Sequence, residues 1–107
     1  PALAVSGLPS ERFVFEGFLP VKKGRKTRLE ELSNEKRTMI FYESPYKLYK
    51  TLQDFSNSFG PDREISISKE LTKIFESTTR GRIKDLMPEY ENKKLKGEFV
   101  IVVKGLK

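Results

Sequence analysis

The run Glu98-Phe-Val-Ile-Val-Val103 constrains the fold more than any other segment. It is the strongest strand signal in the chain, and its apolar residues point to both faces. Such a strand is covered on two sides, so it is predicted to lie at the centre of a sheet. The remaining elements must pack around it with limited material. The chain has 107 residues, 36% of them hydrophobic and 34% charged. That is enough for one domain with one modest core.

The other elements follow from local patterning. Phe13 to Leu19 alternates weakly, is rich in aromatics and reads as a short strand stopped by Pro20. Val21 to Arg28 reads as a polar, basic, Gly-containing loop. Lys26 or Thr27 then opens a helix whose apolar positions are Leu29 and Leu32. Thr38-Met-Ile-Phe-Tyr-Glu43 is a strand. Ser44-Pro45 reads as N-cap and first helical residue, with Leu48, Leu52, Phe55 and Phe59 as one apolar stripe and Gly60-Pro61 as the stop. Glu64 to Ser68 alternates strictly and begins another strand. Lys69 to Ser77 has no clear period. Thr78 to Gly81 reads as a short edge strand ending in a turn. Ile83, Leu86, Met87 and Tyr90 form a further helical stripe, broken or bent by Pro88, and Asn92 to Gly97 is a basic turn. The predicted order β, α, β, α, β, β, α, β implies an α/β domain of two or three layers.

The chain contains no Cys and no His. This removes structural zinc fingers, thiol catalysis, serine–histidine triads and most transition-metal sites, so no metal is expected. It also suits a reducing cytosol. No apolar run approaches the ~18 residues of a membrane span. Residue 1 is Pro, and Pro1 to Gly7 reads as the tail of a helix or linker, so an excised domain is expected. The net charge of +6 favours a polyanionic partner.

That charge is densest at Lys22-Lys-Gly-Arg-Lys-Thr-Arg28, where five of seven residues are cationic. Such a segment suits phosphate contacts, which position nucleic acid without reading bases; it equally suits a solubilising loop. Phe41-Tyr-Glu-Ser-Pro-Tyr46 sets a strand end against a helix start, the junction where open α/β sheets bind ligands. Glu43 there is placed to accept hydrogen bonds from a ligand, or only to cap the helix with Ser44. Lys69 and Glu70, in Ser68-Lys-Glu-Leu-Thr-Lys73, pair with each other or face a ligand. No Gly-rich phosphate cradle and no catalytic pair stands out.

Ser6-Gly-Leu-Pro9, Phe15-Glu-Gly-Phe-Leu-Pro20, Phe41-Tyr-Glu-Ser-Pro45, Lys69-Glu-Leu-Thr-Lys73 with Thr79-Arg-Gly81, and Lys96-Gly-Glu-Phe-Val-Ile-Val-Val103 occur in one order along the whole chain. Together they resemble the ribosomal RNA small-subunit methyltransferase I family of the tetrapyrrole-methylase superfamily. Tyr46 stands where that family usually has His. The resemblance implies an S-adenosylmethionine-dependent enzyme that 2′-O-methylates a cytidine of small-subunit rRNA, working in the cytoplasm on the 30S subunit or its RNA. It implies that residues 11–107 are the C-terminal domain, a mixed, mostly antiparallel five-stranded sheet flanked by helices. Residues 1–10 would be the remnant of an inter-domain helix and linker. The N-terminal domain with its Gly-rich cofactor segments is then missing, full-length relatives are homodimers, and the fragment alone would be inactive.

Carried over to this chain, the resemblance puts Tyr42, Glu43 and Ser44 at the cofactor, with Glu70, Leu71 and Thr72 lining the same cleft. Glu43 becomes a candidate proton acceptor. Lys22, Lys23, Arg25, Lys26 and Arg28 become an rRNA-backbone element. Two alternatives stand beside this reading. One is a methyltransferase acting on a tetrapyrrole or another small molecule. The other is a stand-alone basic RNA-binding module, which lacks an RRM-like stacking signature.

Overall fold

The computed structural model describes residues 13–71, 74–91 and 97–106, with no side-chain description for 70, 71 and 74–76. The expected remnant at 1–10, Thr72 and most of the basic turn at Asn92 to Gly97 lie outside the described residues.

Five strands form one sheet: β1 (Phe13–Gly17), β2 (Thr38–Glu43), β3 (Glu64–Leu71), β4 (Ile74–Arg82) and β5 (Glu98–Val103), in the order β1-β2-β5-β3-β4. The β1–β2 pair is parallel and the other three pairs are antiparallel. The sheet is thus mixed and mostly antiparallel. β5 lies in the middle, and Phe99 to Val103 are all buried. A strand with a neighbour on each edge must satisfy both apolar faces inside the protein.

Register sorts the side chains. Met39, Phe41, Ile65, Ile67, Phe99, Ile101 and Val103 share one face. They pack with buried residues of α1 (Arg25–Leu32), α2 (Leu48–Phe59) and α3 (Ile83–Leu86). The described helices therefore lie on one side, and of the two expected layer counts the described residues form two. α2 carries the predicted stripe: Leu48, Leu52, Phe55 and Phe59 are buried, and Phe55 meets Phe41 at 4.8 Å and Phe59 at 5.1 Å between ring centroids. Pro88 falls at the start of a 3₁₀ turn, Met87–Tyr90, that follows α3. This is the break its missing N–H imposes.

Five boundaries differ from expectation. β1 ends at Gly17, where its register to β2 shifts, and Leu19 turns into the core. α1 starts at Arg25, one residue before the expected start, because Gly24 adopts φ +82° and its carbonyl accepts the Arg28 N–H at 2.9 Å. α2 starts at Leu48, not at Pro45. Ser44 to Lys47 form a turn closed by the Lys47 N–H to the Ser44 carbonyl at 3.2 Å, and Ser44 caps nothing. β3 and β4 are longer than their alternating cores suggest, and their pairing extends to Leu71 and Ile74. β4 is an edge strand, as expected.

Candidate functional site

Strand registers bring the expected site residues to one end of the sheet. Glu43 of β2 and Lys69 of β3 both pair with Phe99, from opposite sides of β5. Both strands run antiparallel to β5, so they point the same way. Glu70 and Leu71 continue one and two residues past that level. Two strand spacings, roughly 9–10 Å, separate β2 from β3. The β1 ladder stops at Phe41, so the main-chain groups of Tyr42 and Glu43 on that side lie outside it.

Alternation turns neighbouring side chains to opposite faces. Tyr42 is 41% exposed on the sheet face opposite the described helices, with Phe15 and Phe18 edge-on at 5.2 and 5.6 Å. Glu43 points under α2 and is only 6% exposed. Its Oε1 accepts the Ser44 N–H at 2.8 Å and its Oε2 accepts the Thr51 hydroxyl at 2.5 Å. The Thr51 oxygen in turn accepts from Arg25 Nη2 at 2.9 Å. Arg25 also donates from Nε to Asp54 at 2.9 Å and from Nη1 to the Pro20 carbonyl at 3.0 Å. One polar chain thus ties the segment before α1, α1 itself, β2 and α2 together. A buried carboxylate needs such partners, because an unsatisfied one costs much more than an apolar contact gains. Glu43 therefore anchors β2 beneath α2, with both carboxylate oxygens hydrogen-bonded within the domain.

The basic segment divides in two. Arg25 is held as described. Arg28 makes a bidentate pair with Glu16, at 2.7 to 3.0 Å, that joins α1 to β1; the hydrogen bonds it donates to Glu16 raise the guanidinium above its ordinary range. Lys22, Lys23 and Lys26 are exposed. Sequence reasoning missed Lys47 and Lys50. They stand beside Lys22 and Lys26 along a groove between α1 and α2, about 550 Å³ in volume. Their only signal is an i, i+3 spacing where α2 begins.

A nucleoside cofactor needs an apolar surface for its base and main-chain groups for its polar edges. The β2 end offers both, through Tyr42 and the unladdered side of the strand. The Ser44 N–H is already taken by Glu43. Among the described residues no three His, Cys, Asp or Glu side chains gather to hold a metal ion. No helix among them is long and apolar enough to cross a membrane.

No family model matches the chain. Curated proteins do. The chain is 48% identical over 107 residues to ribosomal RNA small subunit methyltransferase I of Xylella fastidiosa strain 9a5c, covering 97% of this chain and 39% of that protein. The protein of the same name from Thermotoga maritima is 42% identical over 104 residues, covering 97% and 46%. That of Escherichia coli O157:H7 is 43% identical over 110 residues, covering 99% and 38%. The chain spans roughly two-fifths of the length of such relatives. Among solved structures, the cobalt precorrin-4 methyltransferase CbiF superposes with a TM-score of 0.67 at 18% identity, covering 96% of this chain and 46% of that one. The methyltransferase CobJ gives 0.66 at 19% identity, covering 97% and 46%. A Thermus thermophilus uroporphyrin-III C-methyltransferase complexed with S-adenosyl homocysteine gives 0.57 at 14% identity, covering 94% and 48%. At these identities the likeness establishes the fold, which is that of tetrapyrrole methylases.

Proposed function

From the premise that the chain belongs to the ribosomal RNA small-subunit methyltransferase I family, we propose that it forms the C-terminal domain of an S-adenosylmethionine-dependent enzyme that methylates the 2′-hydroxyl of a cytidine in small-subunit rRNA. The observation that carries this reading is the 48% identity across 97% of the chain. The tetrapyrrole-acting neighbours, at 18–19%, share the architecture only.

The chemistry divides between cofactor and protein. When bound, S-adenosylmethionine supplies a methyl group on a positively charged sulfur, which is its own leaving group. The protein must hold the acceptor oxygen in line and exclude alternatives. In this domain the main-chain groups of Tyr42 and Glu43, with those of Glu70 and Leu71 at the same sheet end, would line one wall of the cofactor cleft. Tyr42 would flank the nucleoside. Glu43 acts as a positioning residue: through Thr51 and Ser44 it sets where β2 ends and α2 begins. The proton acceptor is then sought among groups other than the Glu43 carboxylate. The rest of the cleft would come from the part of the family's length that this chain does not span.

The test uses isotopically labelled S-adenosylmethionine and purified small ribosomal subunits. The full-length protein should place label on ribose, detected as resistance of one phosphodiester bond to alkaline cleavage. The 107-residue chain alone should transfer none. Turnover by the chain alone, label on a base, or transfer by the full-length protein to a tetrapyrrole but not to rRNA would each refute the proposal.

A further inference from the structure

The groove between α1 and α2 is lined by Lys22, Arg25 and Lys26 from one side and Lys47, Lys50 and Asp54 from the other. Five cations thus face one carboxylate. Asp54 is itself engaged, by Arg25 at 2.9 Å and by Lys50 at 3.2 Å. Lys22, Lys26 and Lys47 are exposed and, among the described residues, make no ion pair. Both helices bring their first turns here, and neither first turn carries an acidic residue or a side-chain cap. Asp54 offsets only part of the groove's positive field, which stays net cationic, and concave surfaces with an excess of one sign concentrate counter-ions.

We propose that this groove seats the sugar–phosphate backbone of structured RNA, with Lys22, Lys26, Lys47 and Lys50 as the phosphate-contacting residues and Arg25 as the strut that holds the two helices at the groove's width. The proposal rests on the rRNA reading above and names where that RNA lies on this domain. It reassigns the basic segment: Arg25 and Arg28 hold the fold, and two lysines 19 to 25 residues further along the chain take their place at the surface. The chemistry favours nucleic acid over a protein partner. Lysine is depleted from protein interfaces, and the groove presents no aromatic anchor. It also offers little that reads a base edge, so the contact positions RNA and does not select its sequence.

The experiment measures binding of the full-length protein to small ribosomal subunits across a range of salt concentrations. Three double variants are compared with the parent: Lys22→Ala/Lys26→Ala, Lys47→Ala/Lys50→Ala, and a charge-matched control, Lys36→Ala/Lys84→Ala, away from the groove. Each neutralised phosphate contact lowers the slope of log K against log salt by about 0.9 on a duplex, so each groove pair should lower it by about 2 and the control should leave it unchanged. Equal effects of groove and control pairs, or no effect of either groove pair, overturn the proposal. So does polyglutamate competing as well as RNA at equal charge, which would make the groove a general anion surface. Groove-dependent binding to RNA other than the small subunit upholds the groove and removes the substrate reading instead. Methyl transfer to rRNA with salt slopes untouched by the groove variants does the reverse.

Discussion

Thr51 is the most exacting test of how the site is held. Among the described residues its hydroxyl is the only link between the Glu43 carboxylate and the Arg25 guanidinium, donating to one at 2.5 Å and accepting from the other at 2.9 Å. Thr51→Val keeps shape and volume but replaces that hydroxyl with a methyl group. Thr51 is 1% exposed and Glu43 6%, so water does not readily replace the lost donor. A buried acceptor left unpaired costs about 1–3 kcal/mol, and the upper half applies where the acceptor carries charge. The methyl would also press on Oε2, which now lies at hydrogen-bond range. We expect roughly 2–3 kcal/mol of destabilisation, which for a domain of this size lowers Tm by about 8–12 °C. Urea unfolding of the chain, followed by far-ultraviolet circular dichroism, reads this as a lower midpoint with an unchanged slope. Thr51→Ser keeps the hydroxyl and should recover most of the loss. In a Glu43→Gln background the Val substitution should cost at least ~1 kcal/mol less, since the two groups interact directly. A cost under ~0.5 kcal/mol, or the same cost in both backgrounds, would refute the network.

Two further outcomes follow from local geometry. Gly105 lies so close to the chain at Lys36–Arg37 that a Cβ there would fall 2.1 Å from the Lys36 carbonyl oxygen and 2.5 Å from that of Arg37. Gly105→Ala must push main chain aside and strain the Leu106 N–H to Glu35 carbonyl bond at 2.7 Å, so a loss of about 1–3 kcal/mol is expected in thermal or urea unfolding. Hydrogen bonds from Arg37 lower the Glu35 carboxyl from its ordinary 4.5 to about 2. A depressed carboxyl stabilises the fold above its unfolded pKa and loses that contribution as pH falls through the folded value. Parent and Glu35→Gln should therefore differ most above pH 4.5 and converge towards pH 2. The gap should stay under about 1 kcal/mol for so open a pair. A gap that widens on acidification would contradict the assignment.

Much of the fold was legible because it depends on local period. The unbroken apolar run at 99–103 placed its own strand at the sheet centre, since no edge position hides two apolar faces. The stripe Leu48, Leu52, Phe55 and Phe59 named the buried side of its helix. Helix starts were less legible. Ser44-Pro45 has the composition of an N-terminus, yet Glu43 draws the Ser44 N–H back and the helix opens four residues after Ser44. That competition involves Thr51, a partner one strand end and one helical turn away.

What the sequence determined by itself was the set of elements, the central strand, the surplus of positive charge and the family likeness. Only the tertiary structure decided which charges are free. Arg25 and Lys26 are neighbours in a single basic run, but Arg25 is matched by Asp54, 29 residues on, while Lys26 faces solvent beside Lys47 and Lys50. The same holds for Glu43, whose two oxygens find their donors in a turn and in a helix. Backbone preference and hydrophobic period act between residues a few positions apart, so they can be read along the chain. Charge pairing and burial of a carboxylate depend on distances of a few ångströms between segments that only folding brings together.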